Sequence, residues 1–133
     1  MRRQLISREL TTLRAFRRQE VERQQALDSF DQQLRRIISH QPGTAPWRGT
    51  SRDLVEMVDL VASRQSICDD RGIPLSRMEL ARKAFAATGL HLPAHVSSVV
   101  QRIRDRTSTS HSLLVRWGRR GEIILKAQKL TNS

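Results

Sequence analysis

The sequence has no tyrosine, one cysteine, two tryptophans and three phenylalanines among 133 residues. With so few aromatic faces, stacking platforms for single-stranded nucleic acid are scarce, and duplex or phosphate contact is the more natural mode. A lone thiol, Cys68, cannot build an internal disulfide framework or a cysteine-rich zinc site. It fits a reducing compartment, so we read the chain as cytoplasmic. No window approaches the roughly 20 consecutive apolar residues of a membrane span, and the Arg-rich start lacks the apolar stretch of a secretory signal. Acidic charge is short too, with 13 Asp plus Glu against 24 Lys plus Arg, a formal net charge of +11. An excess of that size makes polyanions the natural partners, nucleic acid first among them.

Proline and glycine are sparse enough to divide the chain cleanly. Residues 1–41 contain neither, and their nine Arg and five acids give a net of +4. Apolar residues recur there mostly at spacings of three and four, as Ile6, Leu10, Leu13 and then Leu27, Phe30, Leu34, Ile37 and Ile38. That is the stripe of an amphipathic helix, thinned between Phe16 and Leu27. A helix of about 35 residues reaches roughly 50 Å, longer than the small domain behind it. It must therefore bend back, break, or pair with a second chain, and pairing makes residues 1–41 a candidate homodimerisation segment. Pro42, Gly43 and Pro46 then mark a linker over 42–50.

Residues 51–133 are read as one helical domain. Thr50 and Asp53 offer a hydroxyl and an acid three residues apart, ahead of an apolar run from Leu54 to Val61. Asp53, Glu56 and Asp59 recur every three residues, a pattern expected for the N-terminal end and solvent side of that helix. Cys68 to Pro74 reads as a loop, with the thiol buried or inert. Ser76 with Glu79 forms a capping box, Leu75 with Leu80 a hydrophobic staple, and Gly89 ends the helix between them. Pro93 suits the first turn of another helix, whose Val96, Val99, Val100 and Ile103 face a core. The segment 113–130 favours helix. Gly118 and Gly121 leave open the rival reading of a short β-hairpin near 114–127, tipped by Arg119 and Arg120.

Charge is not spread evenly. Residues 42–95 carry a net of +1, whereas residues 96–133 carry +6. A helix pair joined by a short turn, the second helix polar outside and basic toward its end, is the layout of a helix-turn-helix DNA reader. Ser76–Thr88 would support and Pro93–Arg106 would enter the major groove. Ser97, Ser98 and Gln101 are then expected at base edges, with Arg102, Arg104 and Arg106 at phosphates. Arg119 and Arg120 would reach the backbone or minor groove from a wing. The competing reading is that these side chains simply solvate a small bundle.

No constellation points to an enzyme. His91 and His95 are four apart, but Pro93 lies between them and no third ligand is near, so neither a metal nor a cofactor is expected. Trp47 and Trp117 are more naturally core anchors than ligand platforms.

One resemblance emerges from the residues. Trp47, Gly49-Thr50, Asp53-Leu54-Val55-Glu56, Leu60, Ala84-Phe85, Gly89-Leu90, Arg102-Ile103-Arg104, Arg106-Thr107 and Leu113-Leu114 resemble the C-terminal region of RteC-like regulators of tetracycline-resistance conjugative transposons. The resemblance covers about residues 46–115. It implies helical, winged-helix-like architecture and transcriptional control of excision or transfer by binding duplex DNA. The family has a larger N-terminal domain, so a second DNA-binding unit has no counterpart here. A non-enzymatic adaptor in a DNA transfer or recombination complex is the alternative expectation.

Overall fold

A computed structural model describes residues 2–105 and Leu113. Helix α1 spans Arg2–Ile38, α2 Ser51–Arg64, α3 Arg77–Thr88 and α4 Val96–Asp105. Among the described residues there is no strand, only an isolated antiparallel bridge between Cys68 and Pro74. The protein is all-helical over this region. The hairpin-or-helix alternative at 113–130 lies outside the described residues, apart from Leu113, which is buried in the common core.

With no Gly or Pro to interrupt it, α1 runs unbroken for 37 residues, about 55 Å at 1.5 Å per residue. Residues 10–25 are exposed throughout, and burial begins at Ala26. From there Leu27, Phe30, Leu34 and Ile37 face the same core as α2, α3 and α4. The helix therefore neither bends back nor breaks. Its last third docks, and residues 10–25 project. Docking is reinforced by Asp31, whose carboxylate accepts from Arg35 Nε at 2.5 Å and from the Ser66 hydroxyl. Arg35 Nη2 also donates to the Ser66 carbonyl at 2.6 Å, and Arg64 pairs with Asp28 at 2.7 Å.

The connection at 42–50 joins parts of one core. Gly43 N donates to Ala86 O and Ala45 N to Ala87 O, both at 2.9 Å. Those carbonyls belong to the last turn of α3, where helix geometry leaves acceptors without intrahelical partners. The linker thus caps α3 from outside. Trp47 Nε1 donates to Thr50 O at 3.0 Å, and a Cβ on Gly49 would stand 2.9 Å from the indole. Only glycine lets the ring lie this close to the start of α2.

α2 opens with the expected capping box: Asp53 N donates to Thr50 Oγ1 and Thr50 N to Asp53 Oδ2, each at 3.1 Å. It is the central helix, packed against α1, α3 and α4. That position corrects one expectation. Asp53, Glu56 and Asp59 are all buried, because apolar side chains on both sides of α2 leave little solvent face for acids. At Ser76 the box is half built. The hydroxyl accepts from Glu79 N, but the Glu79 carboxylate takes the Ser76 hydroxyl at 3.1 Å. Gly89, at φ 75°, closes α3 in the left-handed conformation that a Cβ disfavours. In the loop between α2 and α3, Asp69 Oδ1 accepts from the N–H groups of Arg71 and Ile73, and Cys68 is exposed rather than buried. α4 starts at Val96, three residues after Pro93, with Val99 N bonded to His95 O.

Candidate nucleic-acid interface

α4 is short and sharply two-sided. Val96, Val100 and Ile103 are buried at i, i+4 and i+7, with Val99 half-buried beside them. The opposite side presents Ser98, Gln101, Arg102 and Asp105 to solvent. Gln101 Nε2 donates to Asp105 Oδ1 at 3.1 Å, an exposed i, i+4 contact along the helix. Ser97 and Arg104 lie on the flank between these sides, where both are engaged within the molecule.

The flank is organised by Asp59 of α2. Its carboxylate, only 11% exposed, accepts from Arg104 Nη2 of α4 at 3.1 Å and from Arg77 Nη1 of α3 at 3.4 Å. Arg77 Nη2 in turn donates to Ser97 Oγ at 3.2 Å. One buried carboxylate thus ties three helices together. A buried carboxylate is retained where charged donors satisfy it, as they do here. Beside this brace is an open cleft of about 310 Å³, lined by Asp59, Ser63, Ser76, Arg77 and Arg104 among others. Two guanidiniums against one carboxylate leave it mildly positive.

The eight residues expected at DNA therefore divide three ways. Ser98, Gln101 and Arg102 share the outward side of α4. Ser97 and Arg104 turn toward the Asp59 brace, although the Arg104 side chain stays 55% exposed. Arg106, Arg119 and Arg120 lie outside the described residues. The supporting arrangement also has a different emphasis from the expected one: α4 packs chiefly on α2, while α3 packs on α2 and α1. Because α1 packs on α2 and α3, its docked third leaves the outward side of α4 open.

Sequence reasoning named Asp59 but expected it on the solvent side of α2, and it gave Arg77 no role. The signal was present: an acid inside a run that is apolar on all sides cannot be solvated, so it needs a cationic partner from elsewhere. His91 and His95 are exposed, and among the described residues no three potential metal ligands cluster. No described helix is long and apolar enough to cross a membrane. Compared with known proteins, the chain matches no family description, no curated protein and no solved structure.

Proposed function

We propose that this chain binds duplex DNA through the outward side of α4 and regulates transcription governing the excision or transfer of a mobile element. The observation that carries the reading is α4 itself. It is a short helix buried on one side and braced by Asp59, and it offers a hydroxyl, an amide and a guanidinium outward. Those groups suit base edges and phosphate. The +6 charge of residues 96–133 adds the long-range attraction that brings a polyanion to this end of the chain. The resemblance to RteC-like regulators points the same way. In this reading Arg102 contacts phosphate, Ser98 and Gln101 sample base edges, and Ser97 and Arg104 act as positioning residues. A second copy joined through α1 would bring two α4 helices to one duplex, as dimeric helix-turn-helix proteins do.

Gel shift of a genomic fragment library at two salt concentrations tests the reading. Retention of particular fragments that weakens steeply with salt supports it. Arg102→Ala is then expected to lower the salt slope by about one unit, one phosphate contact being lost. Absence of retention at low salt sinks it. A second reading, an interaction adaptor, draws on the exposed Leu10, Leu13, Phe16 and Val21 of α1. It predicts a protein partner and no DNA retention.

A further inference from the structure

Exposed apolar surface is concentrated on one segment. Of six large exposed hydrophobic residues among the described ones, Leu10, Leu13, Phe16 and Val21 all lie on the projecting stretch of α1, each between 49% and 64% exposed. Residues 10–25 make about 24 Å of helix with no packing partner in the core. A helical stretch of this length is marginal in water, and burial of an apolar face is what usually sustains it. The face is continuous with an existing interface. At spacings of three and four it runs Leu10, Leu13, Arg17, Glu20 and Gln24, then meets Leu27 where the helix enters the core.

Two charges within this stripe select what can cover it. Arg17 and Glu20 are three residues apart on the same side of the helix. A parallel copy would stack Arg17 on Arg17 and Glu20 on Glu20. An antiparallel copy centred between Arg18 and Gln19 sets Arg17 opposite Glu20 of the partner subunit twice across the two-fold axis. The same register brings Phe16 level with Val21 of the partner subunit. An anionic surface, whether duplex or lipid, would attract Arg17 but meet Glu20 and four apolar side chains on the same side.

We propose that residues 12–25 of α1 form the interface of an antiparallel homodimer whose register is set by reciprocal Arg17–Glu20 pairs. This rests on, and gives structure to, the two-copy element of the function proposed above, but it is measured without DNA, so either can fail alone. Charged and amide residues in the seam make the dimer modest in strength and specific in register. Sedimentation of the full chain across a wide concentration range should show reversible dimerisation. Arg17→Glu and Glu20→Arg should each weaken it about tenfold, since repulsive contacts replace attractive ones. The double variant, Arg17→Glu with Glu20→Arg, should recover it, while unchanged near-ultraviolet dichroism shows that every variant keeps its core. A wild-type monomer at all concentrations overturns the proposal. So does a dimer indifferent to either single change, or a double variant that fails to recover. A monomer that instead pellets with anionic vesicles also overturns it and assigns the stripe to lipid.

Discussion

Residues 10–25 and residues 26–38 of α1 share one uninterrupted helix and both carry apolar side chains at helical spacing, yet the first stretch projects and the second is sealed. Phe16 is 64% exposed and Phe30 1%. The difference is not helical periodicity, which both stretches possess. It is what stands opposite: α2 and α3 reach across residues 26–38, and the loop after α2 brings Ser66 to meet Asp31. Polar side chains in the stripe follow the same rule. Asp31 is buried where Ser66 from the loop after α2 meets it, whereas Arg17 and Glu20 stay exposed, Glu20 accepting from Gln24 Nε2 of its own helix at 3.3 Å.

The sharpest test of this contrast is a pair of truncations. Phe30→Ala should cost about 3–5 kcal/mol, the loss of a buried ring plus the cavity left behind. Phe16→Ala should change core stability by less than about 0.5 kcal/mol, as exposed substitutions do. Urea unfolding of both variants at concentrations where the chain is monomeric reads the difference, and a comparable loss from Phe16→Ala would show that the projecting stretch is packed within the monomer after all.

Asp31 gives the contrast a pH dependence. Burial raises its pKa, but the hydrogen bonds from Ser66 and Arg35 and the charges of Arg35 and Arg64 outweigh this and hold it below the ordinary carboxylate value. A carboxyl depressed in the folded state stabilises fully above its unfolded pKa, about 3.9, and loses that contribution as pH falls through the folded value. Asp31→Asn should therefore cost about 1–3 kcal/mol at neutral pH. The gap from wild type should close in acid below the ordinary carboxylate range. A gap independent of pH would show that shape, not charge, docks the helix.

Smaller effects are expected at the brace and at a helix end. Asp59→Asn should cost about 1 kcal/mol, because both guanidiniums are partly exposed and rehydrate. Amide exchange should quicken along α4, whereas Glu20→Gln in the projecting stretch should leave α4 untouched. Gln65 ends α2 at φ 55°, a left-handed conformation that glycine adopts without a Cβ penalty. Gln65→Gly should stabilise by about 0.5–1 kcal/mol, read as a higher melting temperature.

Much of this architecture was legible from local chemistry. Thr50 with Asp53, Ser76, Leu75 with Leu80, and Gly89 announced where α2 and α3 begin and where α3 ends, since caps are settled by neighbours three or four residues away. Val96, Val100 and Ile103 announced the buried side of α4. The brace was not legible. Asp59, Arg77, Ser97 and Arg104 come from three helices, and their meeting depends on how those helices cross. For the same reason Arg104 read as a phosphate contact on a helical wheel, although its guanidinium reaches Asp59. The capping function of the linker was hidden too, because the carbonyls of Ala86 and Ala87 are some 40 residues away in sequence.

By itself the sequence determined that the described part of the chain is helical, where α2 starts and where α3 starts and stops, and that positive charge gathers toward the carboxy-terminal end. Those properties follow from dihedral preference, periodicity and composition, which act within a few residues. Only the tertiary structure decided that α1 is docked over its last third, that α2 is central with its acids buried, and which polar side chains of α4 remain outward. Each of these depends on whether a second surface removes a side chain from water, and that surface is supplied by residues distant in the chain.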